Sequence, residues 1–295
     1  MSNAELRPVV VGTDGSPAAT RAVEWAADEA ADLGHPLHIV TASDTGVYGV
    51  PAVPSGEQGH HLAESGQAAV AAARALVQGR RPGLTVTTQV ELDAPARVLV
   101  KASQDARLTV VGSRGLGGFA GLVLGSVGLR VTARAAGPVA VVPADWPGDG
   151  DPRGKGRVVV GVDMSEQSAA ALEYAFETAH RRGVELQIVH AFRIDPGVLQ
   201  ARYLIDVRET ERTMGVQLRE EYGHWHTRYP GVTVTELAIQ DHPVHVLAEA
   251  SRDADLVVVG ASGRGPVAGA LLGSVGHGVL HHAHCPVVLA RPEPL

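Results

Sequence analysis

The chain has 295 residues, 45% of them hydrophobic, with a formal net charge of -7 and one cysteine. No stretch of about 18 residues is apolar throughout, which argues against a membrane span. The acidic balance argues against a broad nucleic-acid surface, which needs clustered Lys and Arg.

In chain order, Pro8–Gly12 reads as a buried strand and Ser16–Leu33 as a helix. Ala18, Ala22, Trp25, Ala26 and Glu29 follow a 3.6-residue period, and Ser16-Pro17 sets a cap before a first-turn proline. Leu37–Ala42 is the second strand. The Gly/Pro-rich stretch Thr45–Gly59 is expected to be mobile, and His60-His61 are also expected in a loop. Glu64–Gln78 reads as a helix, Leu84–Glu91 as the third strand and Pro95–Gln104 as a helix. Leu108–Val111 is the fourth strand, Ser126–Ala135 a helix and Val139–Val142 the fifth strand.

The same series then recurs. VVVGTDGSPAATRAVEWAADEA from Val9 is answered by VVVGVDMSEQSAAALEYAFETA from Val158, and LHIVTAS by LQIVHAF. LTVVGSRG is answered by LVVVGASG, and GPVAVVPA by CPVVLARP. The chain is expected to be two tandem domains of about 145 residues, 1–143 and 157–295. Ala144–Gly156, rich in Gly, Pro and Asp, reads as an exposed linker.

Alternating strands and helices imply an α/β fold. Each domain should be a doubly wound, five-stranded parallel sheet with helices on both faces. Right-handed crossovers favour the strand order 3-2-1-4-5, which reverses between strands 1 and 4. Ligands bind at the carboxyl ends of the strands where such an order reverses. Thr13-Asp14 lies at that crevice in the first copy and Val162-Asp163 in the second.

Behind strand 4 stands a repeated glycine frame: Gly, two residues, Gly, nine residues, then Gly-Ser-Val-Gly. It runs from Gly112 to Gly128 and from Gly260 to Gly276. Gly112 and Gly115 flank the strand exit, where a turn can aim N–H groups inward as an anion nest. Gly125-Ser126-Val127 opens the next helix, whose free N–H groups and dipole favour phosphate. Gly260, Gly263, Gly273, Ser274 and Val275 hold the same places in the second copy. Asp14 and Asp163 can accept from ribose hydroxyls or hold Mg²⁺ through water; Asp-Gly-Ser is equally turn chemistry. Backbone at Ala42 and Ala191, after strand 2, is placed to pair with an adenine edge.

The Gly-x2-Gly-x9-Gly-Ser frame, the early Val-Gly-x-Asp and the late Pro-Val-x-Val strand resemble the universal stress protein family, in a tandem two-domain form. The resemblance covers both halves. It implies ATP, with Mg held through its phosphates, contacting Asp14, Ala42, Gly112, Gly115, Gly125, Ser126 and Val127. Asp163, Ala191, Gly260, Gly263, Gly273, Ser274 and Val275 are the implied contacts of the second half. It further implies a stress or growth-arrest setting. With the single cysteine and no leader pointing to a reducing cytoplasm, the chain is expected to be a cytoplasmic sensor or regulator acting on a downstream protein partner. Thr41 stands where His190 stands in the second copy, Arg114 where Ser262 stands, and Gly118 where Pro266 stands. The basic side chain beside the phosphates is thereby shifted to Arg264, and the two sites are expected to differ in affinity.

Other readings stay beside this one. Gly115–Ala120 satisfies a dinucleotide pattern but follows the fourth strand rather than the first, and no Walker A sequence is present. His277 and His281, four apart on an expected helix, can hold a metal, but the first copy lacks them, and favourable charge at a helix C-terminus explains them as well. Cys285 reads as a small buried hydrophobe in a reducing setting. The amino terminus shows no basic region followed by an apolar core, so no secretory leader is expected. No nucleophile–base pair repeats between the halves, which favours binding over turnover. The alternatives are slow ATP hydrolysis, nucleotidyl or phosphoryl transfer at the same cleft, or a ligand-free dimerisation module. The short apolar fifth strands invite edge pairing, between the two halves as an internal pseudo-dimer and again between chains as a homodimer.

Overall fold

The computed structural model describes residues 6–44, 56–115, 124–147, 155–165, 168–193, 206–261 and 272–292. The chain divides into two compact units between Pro152 and Arg153. In the first, the elements are β1 (Val9–Gly12), α1 (Pro17–Leu33), β2 (Leu37–Ala42), α2 (Gly56–Arg80) and β3 (Val86–Glu91). They continue with α3 (Pro95–Ala102), β4 (Leu108–Gly112), α4 (Ser126–Arg134) and β5 (Val139–Val142). All pairings are parallel and the order is β3-β2-β1-β4-β5.

The second unit repeats the series with β6 (Arg157–Gly161), α5 (Ser168–Arg182), β7 (Glu185–Phe192), α6 (Val207–Arg228) and β8 (Val234–Gln240). α7 (Pro243–Ala250), β9 (Leu256–Gly260), α8 (Ser274–His282) and β10 (Val287–Ala290) complete it. Its order is β8-β7-β6-β9-β10, again parallel throughout. Each unit thus has the expected 3-2-1-4-5 sheet.

The central strands are near-continuous apolar runs because helices cover both sheet faces. Val9, Val10 and Val11 of β1 and Val158, Val159 and Val160 of β6 are all buried. α1 starts as its sequence dictates. The Ser16 Oγ accepts from the Ala19 N–H at 3.2 Å, Pro17 follows, and Gly34 ends the helix at φ 71°. Its whole expected stripe is buried, Glu29 included.

Two expectations need correcting. α2 begins at Gly56, eight residues before the expected start, so His60-His61 are helical rather than in a loop. Their side chains face solvent and the first turns carry no apolar stripe, so periodicity had nothing to register there.

One internal strut recurs in both units. The Ser103 Oγ donates to the Val100 carbonyl at 2.6 Å and accepts from the Ala136 N–H at 3.0 Å. Ser251 does the same with Ala248 and His284. Each buried serine ties the end of one helix to the segment after the next.

The units differ where α7 meets α8. A Cβ on Gly278 would lie 2.5 Å from the Val244 Cγ2 and 3.0 Å from its Cγ1. The first unit holds Ala96 and Arg130 at these two places, so a large residue on one helix goes with a small one on the other. Gly278→Ala is expected to cost about 1–2 kcal/mol of stability, although mid-helix Gly→Ala alone gains roughly 1 kcal/mol. Adding Val244→Ala should restore most of it. A double-mutant cycle in urea measures the coupling, and a double variant no more stable than Gly278→Ala alone refutes the account.

Candidate functional site

The strand order reverses beside β1 in the first unit and beside β6 in the second. In the second, a cavity of about 1190 Å³ opens at the carboxyl ends of β6 and β9. Its walls bring together Val162, Asp163, Ala191, Gly260, Gly273, Ser274 and Val275. Gly263 lies outside the described residues, as do Ser262, Arg264, Pro266 and Gly118.

Strand register explains the opening. β6 pairs with β7 as far as Gly161 and Val189, and the Val162 N–H adds one bond to the Val189 carbonyl at 2.9 Å. β7 continues beside β8 to Phe192. His190–Phe192 therefore outrun β6, and the β6-facing backbone of Ala191 has no strand beside it. The His190 Nδ1–H donates to the Val162 carbonyl at 3.0 Å and braces this step. The first unit has the same step: β1 pairs to Gly12 and Val40, whereas β2 and β3 pair to Ala42 and Glu91. Thr41, buried, replaces the histidine.

The aspartates sit just past the strand ends. The Asp14 Oδ1 accepts from the Ser16 N–H at 3.0 Å, and the Thr13 Oγ1 accepts from the Gly15 N–H at 3.3 Å. Gly15 has φ 77°. Turn chemistry thus occupies one carboxylate oxygen, as the Asp-Gly-Ser reading anticipated. In the second unit the residue after the aspartate is Met164, and it takes φ 56° without being glycine. Such a backbone costs on the order of 1–3 kcal/mol and must be held by its surroundings. Asp163 does the holding: its Oδ1 accepts from the Ser165 N–H at 3.2 Å and from the Ser168 Oγ at 2.8 Å.

The glycine frame closes on itself in both units. The Gly125 N–H donates to the Ser113 carbonyl at 2.7 Å, and the Gly273 N–H to the Ala261 carbonyl at 2.8 Å. Gly125 and Gly273 are the N-caps of α4 and α8, and neither helix has a side-chain cap. The Gly125 and Gly273 carbonyls accept from Leu129 and His277. The N–H groups of the first turn, on Ser126-Val127 and Ser274-Val275, precede any intrahelical partner.

The nest expected at Gly112 and Gly115 is not formed by these two residues. Among the described residues, only Gly15, Gly34, Gly156 and Gly183 are glycines with positive φ, and a nest needs such backbone. Their role is space. A Cβ on Gly112 would stand 3.0 Å from the Ala18 carbonyl oxygen, and one on Gly115 only 2.5 Å from the Asp14 Oδ2. The glycine frame and the strand 1 aspartate are therefore packed against each other.

Sequence reasoning missed the α6 wall. Met214, Gln217 and Glu221 line the cavity at helical spacing, with Phe192 and Arg193 beside them. That spacing is visible in the sequence, but nothing there shows that this helix face turns toward the cleft. His277 also lines the cavity, its ring 4.7 Å from that of His281. Among the described residues no group of three or more His, Cys, Asp or Glu converges on a metal position. Cys285 is buried, and burial pushes its thiol up to about 12, in keeping with a small hydrophobe. No described helix is long and apolar enough to cross a membrane.

The description of the universal stress protein family matches this chain twice, over residues 5–143 and 155–291. The chain belongs to the universal stress protein family. It is 38% identical over 287 residues to a universal stress protein of Mycobacterium tuberculosis, with 96% of each chain covered. Over 293 residues it is 36% identical to one of Mycolicibacterium smegmatis, with 97% of each covered. Its fold is similar to that of a universal stress protein from Archaeoglobus fulgidus, with a TM-score of 0.66, 21% identity and coverage of 97% of this chain and 99% of that one. It is thus a tandem universal stress protein, similar to mycobacterial members along nearly their whole length.

Proposed function

We propose that this universal stress protein binds ATP in the crevice of each unit and acts as a cytoplasmic sensor or regulator of stress or growth state. The observation that carries this is the pairing, in both units, of an uncapped helix N-terminus with an aspartate across the strand reversal. The N–H groups of Ser126-Val127 and Ser274-Val275 suit the phosphates. Asp14 and Asp163 suit the ribose hydroxyls, and the backbone at Ala42 and Ala191, past the last residues that β2 and β7 pair with β1 and β6, suits the adenine edge. Gly112 and Gly115, by admitting the Ala18 carbonyl and the Asp14 carboxylate, hold the exit of β4 against the turn after β1 and would offer backbone to the nucleotide, with Gly260 in the matching place of the second unit. Gly263 and Arg114 complete the proposed set. Mg²⁺ would be held by the phosphates, neutralising their charge. Nucleotide occupancy would be passed to a protein partner, and the chain would pair as a homodimer.

Mass analysis of the supernatant of freshly purified, denatured protein is expected to show retained adenine nucleotide. Calorimetry should then show saturable binding of up to two ATP per chain in the presence of Mg²⁺. No retained nucleotide and no binding heat would refute the reading and leave a ligand-free dimerisation module. Steady ADP release would instead point to hydrolysis.

A further inference from the structure

A second cavity of the second unit, about 970 Å³, runs outside the first, between α7 and α8. That size falls within the roughly 300–1,000 Å³ of small-molecule sites. Arg193, Pro243, Ser274 and Val275 line both cavities, so the groove starts where the first turn of α8 ends the cleft. Its α7 wall carries His242 and His245, and its α8 wall carries His281 and His282, with His284 just beyond.

The first unit shows what this face is. At the places of His242, His245, His281, His282 and His284 it has Ala94, Arg97, Ala133, Arg134 and Ala136. Two permanently charged positions and three neutral ones have all become histidine. Arg97 meets Asp93 at 3.2 Å, and His245 meets Asp241 at 2.9 Å in the same arrangement. The face is cationic in one unit and titratable in the other.

The remaining charges are few. Arg193 and Arg252 are fixed cations, and Glu249 lies against Arg252 at 3.3 Å. Asp241 offsets His245. With its histidines unprotonated the groove is close to neutral, because Arg193 and Arg252 stand against Glu249 and Asp241, and every histidine that takes a proton adds one positive charge. His281 resists protonation, because burial and the neighbouring His277 and His282 hold it below the usual imidazole range. A bound anion reverses that resistance. Among the described residues no group of three or more His, Cys, Asp or Glu is placed to hold a metal, and a protonated imidazole offers both ring N–H groups to an anion.

We propose that the α7–α8 groove of the second unit binds an oligophosphate chain, and that it does so with uptake of protons by its histidines. The chain comes either free or as the tail of a nucleotide lying in the adjoining cleft. Neither source requires that ATP itself bind, since the groove has its own donors.

The probe is inorganic tripolyphosphate, titrated calorimetrically into the full chain. If binding raises two histidines by about one pKa unit each, affinity rises at least about tenfold between pH 8 and pH 6. Heats in buffers of different ionisation enthalpy should show proton uptake. The variant H245Q/H281Q/H282Q should lose that pH slope and about tenfold in affinity near pH 6. Arg252→Gln, a single exposed change, should weaken binding at both pH values. Tripolyphosphate that binds ATP-loaded protein unchanged is a free chain. Displacement by adenosine tetraphosphate but not by ATP marks a nucleotide tail. No binding near pH 6, an unaltered slope in the triple variant, or displacement of the anion by Zn²⁺ acting as a histidine ligand overturns the proposal.

Discussion

Replacing Asp28 with alanine is expected to destabilise the first unit by about 3 kcal/mol. Asp28 sits in α1 with its side chain only 4% exposed, and it receives the end of α2. The Arg80 Nη2 donates to the Oδ2 at 2.7 Å and its Nε to the Oδ1 at 3.0 Å, while the Arg81 Nε donates to the Oδ1 at 2.8 Å. Two cations converge on one buried anion, and removing the anion takes these ion pairs from both. The arginine side chains are 27% and 34% exposed, so water recovers part of the loss. That places the cost at the low end of the roughly 3–5 kcal/mol for breaking a buried pair. Alanine's better helix propensity returns at most about 0.7 kcal/mol. Hydrogen exchange of the full chain separates the two units. Amides of α1 should exchange roughly a hundredfold faster, with α5 unchanged. Asp28→Asn, which keeps one acceptor, should show a smaller effect. Unchanged exchange in α1 would show that the two ion pairs contribute nothing net.

The repeat made the architecture legible, because each copy confirmed the period of the other. Strand order followed from alternation and handedness, and both sheets have it. Asp163, Gly260 and Ser274 could be placed at one crevice without coordinates, since the order fixes which strand ends meet. What stayed hidden depends on side-chain direction or exclusion. The early turns of α2 are poor in apolar residues, so they carry no periodic signal. Met214, Gln217 and Glu221 show a helix face but not its neighbour. The glycines were the subtler case. Gly112 and Gly115 suggested positive φ, whereas the structure uses them to clear the Ala18 carbonyl and the Asp14 carboxylate. A sequence shows that a position carries no side chain; it does not show whether dihedral angle or collision is the cause. Met164 makes the converse point, since a left-handed residue there is not glycine at all.

Gly115→Ala is expected to weaken nucleotide binding in the first unit by about ten- to a hundredfold, and to do so through Asp14. The added Cβ would meet the Asp14 Oδ2 at 2.5 Å, while the other oxygen is tied to the Ser16 N–H. The carboxylate cannot yield without leaving its turn or swinging its Oδ2 edge away. If that edge receives the ribose hydroxyls, displacing it forfeits a charge-assisted hydrogen bond worth about 1.5–3 kcal/mol, which is the tenfold to hundredfold just stated. Asp14→Ala should cause a similar loss. The two changes should then fail to add, because the second has nothing left to displace. Calorimetry on the two single variants and the double variant measures this. Binding to the second unit, whose Asp163 is held by Ser165 and Ser168, should be untouched and supplies the internal reference. Full additivity would mean that Gly115 acts on the phosphates directly. A Gly115→Ala protein that still binds two ATP with unchanged affinity would place the ribose away from Asp14.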